Sequence, residues 1–252
     1  MASRRGQELD GVLLLDKPEG LSSNHALQRA KRTIDARKAG HTGTLDPFAT
    51  GLLVCCFGRS TKISAAMLDA DKVYEATVQL GEETDSGDLT GLIVSQAPES
   101  FEGVSREVLE QVLPAFRGCI QQVPPMYSAL KRDGKPLYEY ARQGIELDRP
   151  ARDVTIYALD ILSFSARIFT VRVHCSKGTY IRTLAQDIGR ALGCGAHLSA
   201  LRRTAVGPFS LDHAVTLEAL QNMAQPVSAL ISIENLPAGL MPAKKLRKEE
   251  HL

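Results

Sequence analysis

Gly40-His41-Thr42-Gly43-Thr44-Leu45-Asp46-Pro47-Phe48-Ala49-Thr50-Gly51 packs three glycines and a proline into twelve residues. That density excludes a helix or a central strand and predicts a shaped loop. Asp46 precedes Pro47, and a residue before proline is pushed out of the helical region, so its side chain is presented rather than coiled away. Gly40, Gly43 and Gly51 let the backbone approach a ligand closely, which makes the stretch a platform for one carboxylate. On spacing alone, Asp-Pro also reads as an ordinary turn initiator.

Upstream of the loop, the apolar run Gly11 to Leu15 ends in Asp16-Lys17-Pro18-Glu19-Gly20, a buried strand running into a Pro/Gly turn. Ser22 or Ser23 then caps a helix with Ala26, Leu27, Ala30 and Ile34 at helical spacing. Its other face carries Arg29, Lys31, Arg32, Arg37 and Lys38, either a solvated face or a phosphate-binding one. Downstream come a buried strand from Leu52 to Phe57, a short helix near Thr61 to Leu68, and a strand from Lys72 to Leu80. The last places Tyr74, Ala76, Val78 and Leu80 on one face, where periodicity reads Tyr74 as core.

The acidic run Glu82 to Asp88 lacks EF-hand ligand spacing, so no metal is expected there. Helices follow at Ser105 to Phe116 and Leu137 to Gln143. Two strands, Val154 to Phe164 and Ile168 to Cys175, read as an antiparallel hairpin. A helix from Tyr180 to Leu192 stops at Gly193, a strand runs from Leu198 to Val206, and a short helix lies near Thr216. The whole reads as an α+β fold with a mixed, largely antiparallel central sheet flanked by helices and loops. From Pro226 the pattern weakens, and Ala243 to Leu252 reads as a charged, frayed tail.

Composition narrows the classes further. The 252 residues carry 30 Lys and Arg against 29 Asp and Glu, so any basic face must be local. Five cysteines with no C-x-x-C spacing argue against a disulfide framework or a zinc site and predict small buried thiols. No run approaches the ~20 apolar residues of a membrane span, and the N-terminal region lacks a secretory h-region. A cytoplasmic protein without membrane association is the expectation.

The run Gly40 to Gly51 resembles the signature of the bacterial tRNA pseudouridine synthase B family, which modifies uridine 55 of the tRNA T loop. Further stretches agree in the same order: Gly11 to Pro18, Lys72-x-Tyr74, Met126 to Lys131, Lys177-Gly178-Thr179-Tyr180-Ile181-Arg182 and Leu201-Arg202-Arg203. The resemblance implies a pseudouridine synthase fold. It also implies an isomerase that breaks a glycosidic bond, turns the base and joins C5 to the sugar, with tRNA as partner, no metal, no cofactor and no obligate protein partner. Asp46 would be the catalytic aspartate, Arg182 its cationic partner and Tyr74 the tyrosine stacked on the flipped base. His41, Tyr180, Leu201, Lys17 and Pro18 would bind the substrate or shape the pocket.

Arg29, Lys31, Arg32, Arg202 and Arg203 are candidates for phosphate contacts. The expected organisation is a catalytic domain over 1–225 and a tail over 226–252, with the family's usual PUA-type C-terminal RNA-binding domain largely absent. Two rival classes remain to be weighed. An RNA-folding module would not need Asp46, Tyr74 and Arg182 together, and a glycosidic hydrolase normally needs a second carboxylate, which is not evident. Whether Asp46 attacks C6, attacks C1′ or removes a ribose proton stays open.

Overall fold

A computed structural model describes residues 6–240, so the charged tail expected over Ala243 to Leu252 lies outside the described residues. The described residues divide into two compact units, one from residues 6–70 and 206–240, the other from residues 71–205.

The first unit begins with β1 (Gly11–Lys17), α1 (Ser23–Ile34), β2 (Ala39–Thr42), β3 (Thr50–Phe57) and α2 (Ser64–Asp69). β1 and β3 pair antiparallel from Gly11↔Phe57 to Lys17↔Gly51, and β2 also pairs with β3, from Ala39↔Phe57 to Thr42↔Val54. Both faces of the β1–β3 pair are covered, which is why these strands read as continuous apolar runs rather than alternating ones. On one face Leu13, Leu15, Leu53 and Phe57 pack with Ala26, Leu27, Ala30 and Ile34 of α1. On the other, Val12, Leu14, Leu52 and Val54 pack with Ile63, Met67 and Phe209. Burying Leu27 and Ile34 contributes roughly 1.5–3 kcal/mol each, which is what turns an amphipathic pattern into a seated helix. Ser22 caps α1 by accepting from the His25 N–H.

In the second unit the elements are β4 (Lys72–Leu80), β5 (Glu82–Thr84), β6 (Ile93–Gln96), α3 (Arg106–Val112), β7 (Gly118–Gln122), β8 (Lys131–Arg132), β9 (Lys135–Pro136), α4 (Leu137–Ala141), β10 (Arg152–Phe164), β11 (Ile168–Cys175), α5 (Ile181–Ala191) and β12 (Ala196–Val206). Five of these form a sheet in the order β12-β4-β11-β10-β7. The expected hairpin is there, with β10 and β11 antiparallel, and β4 runs antiparallel to β11 from Lys72↔Cys175 to Ile168↔Gln79. β4 alternates buried and half-buried along its length, the signature of a strand packed on one face, and α5 lies against it. The chain then returns to the first unit through β13 (Phe209–Ser210), β14 (Val215–Thr216) and α6 (Leu217–Asn222), where β14 lies parallel to β1.

Three expectations need correction. Gly40 to Thr42 is not loop but β2, because glycine is tolerated where the partner strand supplies the ladder; the loop proper spans residues 43–49. The β5–β6 hairpin and the edge strand β7 escaped the sequence reading, since each strand is short and none alternates apolar with polar: β5 is acidic, β6 is exposed throughout and β7 is polar and largely exposed. Four cysteines are buried as expected, but Cys119 on β7 is exposed. Among the described residues, no cluster of His, Cys, Asp or Glu is placed to hold a metal, and no helix is long and apolar enough to cross a membrane.

Candidate active site

In the first unit the Asp46 loop is anchored on both sides of the aspartate. On one side Ser23 Oγ donates to Leu45 O at 3.0 Å and accepts from the Leu45 N–H at 2.8 Å, so one hydroxyl holds both backbone polar groups of the residue before Asp46. On the other, Lys17 Nζ donates to Pro18 O at 2.8 Å, Leu21 O at 2.7 Å and Pro47 O at 3.3 Å. The Gly20 N–H also donates to Pro47 O at 2.8 Å. The Ala49 N–H closes a turn on Asp46 O at 3.1 Å, and Gly43 reaches φ 76°, a conformation that favours glycine. Asp46 itself is half-buried between buried Leu45 and exposed Pro47.

Of the two roles expected of Lys17, binding substrate or shaping the pocket, this geometry fits the second. With 0% exposure and three carbonyls in reach, its ammonium ties the loop to the end of β1. Pro18 is exposed beside it, and His41 stands half-buried on β2 opposite Cys55.

The second unit holds the remaining candidates. Arg182, the second residue of α5, is 4% exposed. Its guanidinium donates to Ser86 O at 2.7 Å and Tyr127 O at 2.6 Å, and Nε lies 3.8 Å from Asp88 Oδ2. Asp88 is held in turn: its Oδ1 accepts from Ser86 Oγ at 3.0 Å and from the Thr90 N–H at 2.9 Å. Gly87 has φ 76°, and a Cβ there would sit 3.2 Å from the Arg182 Cβ, so only glycine brings the loop this close to the helix. The acidic run is therefore a cradle for an arginine. Burial, followed by the neighbouring Asp85 carboxylate, pushes the Tyr127 hydroxyl above its ordinary range, so it remains a neutral donor, here to Asp85 Oδ2.

Tyr74 is 9% exposed on the buried face of β4 and Leu201 is 7% exposed on the neighbouring β12. Tyr180 caps α5, and the Gln122 side chain, 1% exposed, grips its peptide at both ends: Oε1 accepts from the Tyr180 N–H at 3.0 Å and Nε2 donates to Tyr180 O at 3.3 Å.

Of the proposed phosphate contacts, Arg29 and Arg32 are exposed and Lys31 and Arg202 half-buried, whereas Arg203 is 1% exposed and cannot meet a phosphate where it stands. Ser23, Asp88 and Gln122 were missed by the sequence reading. Nothing in their local spacing marks them, because each acts on a residue distant in the chain.

Comparison with known proteins places this geometry in a family. The profile of the TruB family pseudouridylate synthase (N terminal domain) matches residues 31–181, and that of the tRNA pseudouridylate synthase B C-terminal domain matches residues 182–246. Their boundary falls in the first turn of α5, so it divides the sequence and not a structural unit. The chain is 73% identical over 243 residues to tRNA pseudouridine synthase B of Bordetella avium (strain 197N), covering 96% of this chain and 100% of that protein. It is 58% identical to the protein of the same name from Azoarcus sp. (strain BH72), covering 96% of this chain and 85% of that one.

Among solved structures it resembles one described as a Cbf5-Nop10-Gar1 complex, with a TM-score of 0.70 and 31% identity. That match covers 89% of this chain but spans only 60% of the other. A structure of an H/ACA RNP bound to a substrate RNA containing 2′-deoxyuridine matches with a TM-score of 0.66 and 28% identity, over 88% of this chain and 58% of that one. The chain belongs to the TruB family of pseudouridylate synthases.

Proposed function

We propose that this protein isomerises uridine 55 in the T loop of tRNA to pseudouridine, in the cytoplasm and without metal or organic cofactor. The observation that carries the reading is the double anchoring of the Asp46 loop, by Ser23 at Leu45 and by Lys17 at Pro47, inside a chain 73% identical to proteins named tRNA pseudouridine synthase B. Catalysis by one carboxylate depends on holding that carboxylate in place, and both anchors act within one residue of it.

The target base is stacked inside the T loop, so it must be flipped out at a cost of a few kcal/mol that stacking in the pocket offsets. Tyr74 stacks on the flipped uracil, Tyr180 and Leu201 line the pocket, and His41 fills the space the base has left. The Asp46 carboxylate then acts on the nucleoside by attack at C6 or C1′ or by removal of a ribose proton. The N1–C1′ bond breaks, the base turns, C5 bonds to C1′, and the C5 proton leaves while N1 gains one. No atom is added or lost overall, so no co-reactant is required. Arg182 supplies the cation that favours the ionised carboxylate. The machinery lies within residues 1–225, and Arg29, Lys31, Arg32 and Arg202 meet RNA phosphates. The stretch from 226 to 240, expected as tail, is instead part of the first unit, where Ile231 pairs with Val12 and Leu230, Leu236 and Leu240 pack against the core.

The test is incubation with an unmodified tRNA transcript in the absence of metal, followed by carbodiimide-stopped primer extension. A single stop in the T loop is expected. Binding without product would instead make the protein an RNA-folding module, and a stop elsewhere in the tRNA would overturn the assigned uridine.

A further inference from the structure

Arg152 opens β10 and is paired in register with Gln122 on β7, the residue whose amide grips the Tyr180 peptide. Its guanidinium carbon lies 5.2 Å from the centre of the Tyr180 ring. Arg152 Nε is buried and makes no hydrogen bond among the described residues. Three residues earlier in the chain, Arg149 reaches Glu146 through Nη2, but its buried Nε and Nη1 likewise find no partner. A buried guanidinium N–H without an acceptor is costly, and the edge formed by Nε and a neighbouring Nη is the one that matches two oxygens of a phosphate. A ring face holds a cation less tightly than charged oxygens do, so contact with Tyr180 is a place the guanidinium can leave.

We propose that Arg152 is a phosphodiester-binding residue that rests on Tyr180 in the RNA-free enzyme and moves to a backbone phosphate of the bound RNA beside the pocket. This inference rests on the reading of the chain as a tRNA-modifying enzyme. Gln122 gives the exchange its direction. Because Gln122 holds the Tyr180 backbone at its N–H and carbonyl, that anchor does not depend on the guanidinium, and when Arg152 departs the ring face it covered becomes available to the substrate. The chemistry favours a phosphate, because a guanidinium edge matches two of its oxygens, and the two ligands part in the salt dependence of binding, since a base-edge contact would displace no counterions.

The experiment measures the affinity of R152Q for unmodified tRNA over a series of salt concentrations, beside wild-type protein from the same procedure that has first been shown to form pseudouridine. R152Q should bind roughly ten-fold or more weakly, and its slope of log K against log salt should be shallower by about 0.7–0.9, one phosphate contact. An unchanged slope overturns the proposal and leaves Arg152 as packing on the ring. Should R152Q fail to fold, R152K decides. Weaker binding at an unchanged slope supports a lost fork with charge retained, and wild-type affinity overturns it. Wild-type protein that neither binds tRNA nor forms product would overturn the functional reading itself, an outcome distinct from an active wild type with an indifferent variant.

Discussion

The loop over residues 43–49 in the first unit and the loop over residues 85–91 in the second use the same backbone device for opposite ends. Each turns at a glycine with φ 76°, Gly43 in one and Gly87 in the other. The first loop is held by side chains from outside it, Lys17 and Ser23, which grip the peptides flanking its own Asp46. The second holds a side chain from outside it: Ser86 O and the Asp88 carboxylate receive Arg182 from α5. One loop aims its own residue and the other aims a residue of a helix. The Asp46 carboxylate is thus carried on a loop braced from outside, whereas the Arg182 guanidinium is itself fixed by two carbonyls and a buried ion pair.

The largest effect tests the first half of that contrast. Asp46→Asn should lower pseudouridine formation by at least about 10³-fold, or about 4 kcal/mol of barrier, while leaving the melting temperature and tRNA binding unchanged. A marked fall in melting temperature would make Asp46 a structural residue like Asp88 and erase the distinction. Arg182→Met should cost about 3–5 kcal/mol in urea unfolding, because it leaves the Asp88 carboxylate buried without its cation. Adding Asp88→Asn should recover part of that loss, and no recovery would mean the two are not coupled.

Lys17→Met strips the ammonium from three carbonyl oxygens and should cost about 2–3 kcal/mol in the same measurement, with loss of activity. Ser23→Ala is milder, about 1–2 kcal/mol, since it removes one hydroxyl from a peptide that keeps its buried setting. Its mark should be a lower kcat at an unchanged KM.

Thiol labelling gives the smallest signal and compares the two units directly. Burial pushes Cys56 in the first unit and Cys175 in the second up to about 12, so at about pH 8 neither presents the reactive thiolate. Exposed Cys119 alone should react with iodoacetamide in the native protein, as read by mass spectrometry. In low urea, the order in which Cys56 and Cys175 become labelled reports which unit opens first.

Local pattern carried much of the architecture. β4 and β11 begin and end where alternation says they should, and the Tyr180 to Leu192 periodicity became α5 to within a residue at each end. The family signature around Asp46 was legible because glycines, a proline and an aspartate at fixed spacing are themselves a backbone instruction. β7 was not legible, since a polar, exposed edge strand acquires its conformation from pairing with β10.

Period, punctuation and signature were thus enough to place helices, the central strands and the loop that bears Asp46, because those features arise from forces between near neighbours in the chain. Only three dimensions could decide that Lys17 and Arg203 are buried, that an acidic run is a seat for Arg182, and that Gln122 grips Tyr180. The contacts of Arg182 with Ser86, of Gln122 with Tyr180 and of Lys17 with Pro47 join residues tens of positions apart, and a charged side chain goes inside only when the folded chain brings it the acceptors that replace water.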